Sequence, residues 1–177
     1  MKELIKKVYL LQLTYNGITD EIYHFLSDGE KKLLIETNGK FYLKEAERRK
    51  IKVVLTGGVF DVLHIGHIIT LIEAKKHGDV LVVAIAKDEH IKKKGREPIH
   101  PQEYRKIMVE TLKPVDISVA GLDNPKKLIE LVGPDVIVYG YDQKEFLKPE
   151  GIKIVKLSKK IDDSKFKTGR ILEELGV

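Results

Sequence analysis

The chain has 177 residues, 42% of them hydrophobic, with 32 basic and 27 acidic side chains and a formal charge of +5. That apolar content supports a buried core and excludes a disordered chain. The absence of cysteine excludes a disulfide scaffold, a cysteine nucleophile and a thiolate metal site. No apolar run approaches the roughly 20 residues needed to span a bilayer, and the first residues do not open a secretory signal, so a cytoplasmic location is the expectation. High Lys and Glu with no Cys and only two Met is a thermophile-like composition, which bears on habitat rather than chemistry.

The first 50 residues differ in pattern from the rest. Residues 3–14 and 18–26 fit short helices separated by Asn16-Gly17. Leu33–Ile35 and Phe41–Leu43 flank Thr37-Asn38-Gly39, and Asn-Gly between apolar runs is a strong hairpin signal. Two helices and a hairpin fit a small accessory module, a winged-helix-like one among the arrangements, with charged Glu45 to Lys50 as connector.

From Ile51 onward strands and helices alternate. Strands are expected at Lys52–Leu55, Val80–Ala86, Ile117–Ala120, Val136–Tyr139 and Lys153–Leu157. Helices are expected at Gly66–His77, Pro101–Thr111 and Pro125–Val132. Val80–Ala86 has almost no polar residue, as expected when both faces of a strand are covered. The prediction is an α/β fold: a doubly wound, Rossmann-like parallel sheet over residues 51–177, with a small N-terminal helical-plus-hairpin module over 1–50. In such sheets ligands bind at the carboxyl ends of strands, near the switch in strand order.

The chemically informative segment is Gly57-Gly58-Val59-Phe60-Asp61-Val62-Leu63-His64-Ile65-Gly66-His67. It follows a predicted strand and opens a predicted helix, where backbone amides and the helix dipole favour anions. The glycines let the chain pass close to a bulky ligand. His64 and His67 offer two imidazole donors around one anion, with Gly66 leaving room between them. A lone histidine is more often a packed or surface residue, but a pair at a strand-to-helix turn beneath two glycines favours function. Zinc binding is the rival, and it lacks a third ligand. No P-loop sequence occurs.

This G-x-F-D-x-x-H-x-G-H segment resembles the cytidylyltransferase-like nucleotidyltransferases, a superfamily that includes glycerol-phosphate cytidylyltransferases, the nucleotidyl half of ADP-heptose synthases, phosphopantetheine adenylyltransferases and archaeal FAD synthases. The resemblance covers about residues 51–175. Lys94-Gly95-Arg96 followed by Arg105 matches the family's basic stretch, whose side chains contact phosphates. Gly140-Tyr141-Asp142 resembles its G-x-D segment near base and ribose. Phe166–Ile171 aligns with a hydroxyl-rich motif that binds the β- and γ-phosphates. There only Thr168 keeps a hydroxyl in register, Lys167 and Gly169 replace the others, and Asp162 or Asp163 stands where several relatives carry arginine. Lys159, Lys160, Lys165 and Lys167 are substitute phosphate contacts, and a helix cap is the plainer role for Thr168.

The resemblance implies attack by a substrate phosphate on the α-phosphorus of ATP or CTP, releasing pyrophosphate. His64, His67, Lys94 and Arg105 are the implied catalytic set. Gly57, Gly58, Val59, Phe60, Asp61, Gly66, Gly140, Asp142 and Thr168 are the implied nucleotide contacts, with Asp61 orienting the loop through backbone amides. Mg²⁺ is implied as a passenger on the nucleotide rather than in a protein cage. The run Lys94–Ile99, the stretch Met108–Asp116 and Gly140-x-Asp142-Gln143 most resemble archaeal FAD synthases, which points to ATP and FMN. That group's C-terminal cysteines are absent here and an N-terminal module is present. Cytidylyl transfer to glycerol phosphate or a sugar phosphate is the alternative. Related enzymes are commonly dimers, so a homodimer is expected.

A reading from another class is a metabolite-sensing, DNA-binding regulator with a non-catalytic nucleotidyl domain. Residues 1–50 carry ten basic and eight acidic side chains, a net of +2. A DNA-binding module is usually more basic, so nucleic acid is disfavoured as a partner.

Overall fold

A computed structural model describes residues 1–93, 95–145, 147–158 and 168–176. Helix α1 (Lys2–Thr14) buries Ile5, Val8, Tyr9 and Leu13, the single stripe expected of an amphipathic helix. It ends where Asn16 (φ 50°) and Gly17 (φ 97°) turn left-handed. A side chain at 17 would lie 2.6 Å from the Tyr42 hydroxyl, so glycine is required there twice over. The expected helix over 18–26 is instead α2 (Asp20–His24), followed by α3 (Asp28–Lys31). Ser27 breaks the run by starting a new helix: it forms a capping box with Glu30, which is stronger than continuing the first helix through an unsatisfied turn. Glu30 is buried, and Lys7 together with Ser27 holds its carboxyl down to about 2.

Strands β1 (Leu34–Thr37) and β2 (Lys40–Leu43) form the expected hairpin. Asn38 (φ 51°) and Gly39 (φ 74°) supply the two positive φ angles that a tight hairpin turn needs. The charged connector contains a short helix, α4 (Glu45–Arg48).

Then come β3 (Val53–Gly58), α5 (Ile65–Lys75), β4 (Val80–Ile85), α6 (Glu89–Lys92), α7 (Gln102–Glu110), β5 (Ile117–Ala120), α8 (Pro125–Val132), β6 (Val136–Tyr139), β7 (Lys153–Lys156) and α9 (Thr168–Leu175). Short α6 had no periodic signal of its own. The strands are all parallel, in the order β5-β4-β3-β6-β7, so the expected Rossmann-like sheet forms. β3 is central and the order reverses beside it, which puts the switch point between the carboxyl ends of β3 and β6.

Alternation along the strands sorts the core into two layers. Val54, Leu81, Val83, Val136 and Val138 face one side with Leu71 and Ala74 of α5 and Val109 of α7. Val53, Leu55, Val80, Val82 and Ile137 face the other, with Leu128 and Val132 of α8. On that second side the N-terminal helices and hairpin join the same cluster through Ile5, Val8, Tyr9, Ile18 and Leu43. The Tyr9 hydroxyl donates to Val132 O at 2.7 Å, and burial pushes its pKa up. Arg48 lies over the Tyr9 ring at 5.2 Å and pairs with Asp135 at 3.1 Å. Among the described residues no helix is long and apolar enough to cross a membrane.

Candidate active site

Strand β3 runs on past its apolar stretch into Gly57 and Gly58, at the switch point. A Cβ at Gly57 would stand 3.1 Å from Ala84 O, and one at Gly58 would stand 2.8 Å from the Phe60 ring. These glycines therefore let β3 lie against β4 and let Phe60 fold back beneath the loop. Phe60 holds φ 54°, a left-handed conformation that is costly for a bulky residue. Its ring is buried and lies 4.8 Å, centroid to centroid, from that of His67.

His64 is the N-cap of α5: its Nδ1 accepts from Gly66 N at 3.1 Å. A neutral imidazole that accepts at Nδ1 carries its proton on Nε2, so His64 presents an N–H donor. His67, one turn on, stacks on His64 with ring centroids 3.8 Å apart and planes 26° from parallel. Burial lowers the His67 pKa to about 3, with His64 adding to the effect and a hydrogen bond to the Val62 backbone opposing it. His67 Nδ1 is buried and has no hydrogen-bond partner among the described residues. Burial also lowers His64, against the opposing charge of Asp142. Two stacked imidazoles of lowered pKa at a helix start form a place where an arriving anion would meet the helix N-terminus and raise the proton affinity of both rings.

Asp61 is buried and holds a neighbouring loop rather than its own. Its Oδ1 accepts from Ile99 N at 3.0 Å and His100 N at 3.1 Å, while Oδ2 pairs with Arg96. Burial alone would raise its pKa, but Arg96 and the two amides outweigh that and keep it lowered. The basic stretch is thus tied to the histidine motif through a carboxylate, which is the orienting role expected of Asp61 with a different set of amides.

Arg105 was expected to grip phosphate, but its side chain is wholly buried. Its Nε donates to His100 O at 2.9 Å, Nη1 to Val59 O and Nη2 to Asp88 Oδ1, each at 2.5 Å. It pins the motif loop, the 96–100 loop and the segment after β4 together from below. Spacing along the chain gave no sign of this, because the partners lie 46, 17 and 5 residues away. Gln143 is a further connector: Oε1 accepts from Gly140 N at 2.9 Å and Nε2 donates to Gly57 O at 2.8 Å. It joins the loop after β6 to the glycines after β3, across the switch point.

The structure therefore brings Gly57, Gly58, Val59, Phe60, Asp61, His64, Gly66, His67, Gly140 and Asp142 to one end of the sheet, with Arg105 as their support. Thr168 opens α9, but its side chain, like Lys94, lies outside the described residues. So do Lys159, Lys160, Asp162, Asp163, Lys165, Phe166 and Lys167.

The sequence comparisons give the class of protein to which this constellation belongs. Residues 55–173 match the cytidylyltransferase-like family, and the chain belongs to it. A FAD synthase of Aciduliprofundum boonei is 46% identical over 120 residues, which span 63% of this chain and 80% of that protein. A FAD synthase of Ferroglobus placidus is 41% identical over 135 residues, 71% of this chain and 88% of that protein. A solved structure of a lipopolysaccharide core biosynthesis protein from Thermoplasma volcanium GSS1 superposes with a TM-score of 0.56 at 37% identity, covering 63% of this chain and 99% of that one. The chain is a nucleotidyltransferase that acts on a phosphorylated acceptor.

Proposed function

We propose that the chain is an adenylyltransferase that joins AMP from ATP to the phosphate of FMN. The observation that carries this reading is the 46% identity to a FAD synthase across 80% of that protein, with the histidine site intact here. In the proposed step a phosphate oxygen of FMN forms a bond to the α-phosphorus of ATP. The bond from that phosphorus to the bridging oxygen of the β-phosphate breaks, and pyrophosphate leaves with the electron pair. The attacking oxygen is already anionic, so no general base is needed, and catalysis rests on positioning and charge stabilisation.

His64 donates its Nε2–H to the triphosphate. His67 faces the same phosphates, and their negative charge raises its proton affinity against the burial that lowers it. By resemblance to the family's motifs, Gly140 and Asp142 are assigned to the nucleoside and Lys94 and Thr168 to the phosphates. Asp61, the carboxylate within the motif, is saturated by two amides and Arg96, so Mg²⁺ would be held by the triphosphate and water and would supply charge neutralisation there. The first 50 residues serve as a cover for one face of the sheet.

The test is pyrophosphate release with Mg²⁺ and either ATP or CTP, across FMN, glycerol 3-phosphate and sugar 1-phosphates. Release with ATP and FMN, with FAD as the product, is expected. Release only with CTP and another acceptor would replace this reading with cytidylyl transfer.

A further inference from the structure

The central strand keeps one neighbour and loses the other as it approaches the site. β3 pairs with β4 as far as Gly58 with Ile85, but with β6 only through Val54 with Val136 and Leu55 with Ile137. Beyond Leu55 the β3–β6 ladder stops, and the strands part at the switch in strand order, where open α/β sheets form their ligand crevice. Two side chains span the gap. Thr56 Oγ1 donates to Val138 O at 2.8 Å and is buried at its floor. One residue nearer the mouth, Gln143 Nε2 donates to Gly57 O at 2.8 Å while its Oε1 accepts from the Gly140 amide at 2.9 Å.

The loop that carries Gln143 is fastened to its own side of the gap by other bonds. Gln143 N donates to Gly140 O at 3.1 Å. The Tyr139 hydroxyl donates to Leu147 O at 3.1 Å and accepts from Leu147 N at 3.0 Å. Lys156 Nζ of β7 donates to Gln143 O at 2.8 Å. These contacts hold the loop to β6 and β7, and the Gln143 carboxamide ties it across to β3. Asp142, on the same loop, lies near enough to His64 for its charge to oppose the burial that lowers the imidazole's pKa. Where this loop stands relative to β3 therefore bears on both walls of the crevice and on a histidine of the motif.

We propose that Gln143 is a positioning residue for the nucleotide: its carboxamide fixes the separation of the walls at Gly57 and Gly140, and with it the affinity for the nucleoside triphosphate rather than for the acceptor. The inference rests on the reading that the loop after β6 lies against the nucleoside. The side chain suits the task, because the two backbone groups it meets are a donor and an acceptor, and a carboxamide offers the complement of both on one neutral planar group. A carboxylate of the same length keeps the acceptor for Gly140 N and loses the donor for Gly57 O, which sets two like partial charges against each other.

The test is steady-state pyrophosphate release by the full chain, with whichever of ATP and CTP the native chain turns over. A native chain that uses only CTP overturns the proposed adenylyl transfer, whereas the role of Gln143 is read from the ratio of variant to native with either nucleotide. Gln143→Ala is expected to raise the KM for nucleotide by about tenfold, the scale of two neutral hydrogen bonds, and to leave the acceptor KM unchanged. Gln143→Glu separates positioning from packing, since a protonated carboxyl regains one donor and one acceptor. The ratio of its nucleotide KM to the native value should fall as the pH is lowered from about 8 to about 5, toward the range where a half-buried carboxyl protonates. Asp142, Lys156 and His64 are present in both chains, so the ratio reports on position 143. Lys144→Ala, exposed on the same loop, should keep the native nucleotide KM, and thermal melts separate a displaced loop from a lost fold. A native nucleotide KM in Gln143→Ala, an equal rise in both KM values, or a Gln143→Glu ratio that stays flat with pH overturns the assignment.

Discussion

The two histidines are alike in type and differ in what their surroundings make of them. His64 is fixed as an Nε2–H donor by a single amide, that of Gly66, whereas His67 is set by burial against Phe60 and by its neighbour's ring. His67→Ala should lower turnover by about 10²–10³-fold, the scale of losing one oriented charge-stabilising group, with an unchanged far-UV spectrum. Steady-state pyrophosphate release checks the first part, and full activity in that variant would remove His67 from the mechanism. The same residue makes stability depend on pH. Its folded pKa of about 3 lies below the ordinary histidine value of 6.5, so the unfolded chain binds more protons between those limits. Stability then rises with pH across that window, with a slope of up to about 1.4 kcal/mol per pH unit from this group. Urea unfolding at a series of pH values should show a shallower slope in His67→Gln than in the native chain.

At the scale of elements, the site is a set of loops at strand ends, held by buried connectors. Phe60 keeps its left-handed backbone because Gly58 leaves its ring a place to lie. Gly58→Ala puts a methyl group 2.8 Å from that ring, and the ring cannot swing into solvent without leaving His67. We expect an overpacking cost of about 1–3 kcal/mol and a larger proportional loss in kcat. Thermal melts beside single-turnover kinetics separate the two effects, and native kinetics in this variant would show that the Phe60–His67 contact is dispensable. Arg105 belongs to this scale as well: one guanidinium satisfies Val59, His100 and Asp88, and so sets three loops at once.

Over the whole molecule, the N-terminal elements and α8 share one apolar cluster on one face of the sheet, while α5 and α7 cover the other. Deleting residues 1–50 would expose the side chains of Val53, Leu55, Val80 and Val82 that now meet that cluster. The remaining chain should therefore aggregate or melt well below the native protein, and the intact chain should unfold in one cooperative transition by calorimetry. A stable, soluble 51–177 fragment with native activity would show that the cover is optional.

The sequence by itself determined most elements of the sheet domain and the place of the histidine motif. Ile117–Ala120, Pro125–Val132 and Val136–Tyr139 appear with the bounds that local pattern predicts, because a covered strand and a capped amphipathic helix are written in nearest-neighbour terms. The histidine motif was equally legible, since its glycines and imidazoles lie within eleven consecutive residues. Only the tertiary structure decided what the surrounding charges do. Arg105 passes from phosphate contact to buried brace, and Asp61 takes the amides of a loop 38 residues away. Gln143 closes the switch point from 86 residues off. These roles depend on which side chains meet across loops and on how much water they lose in doing so, and neither quantity has a period that a sequence displays.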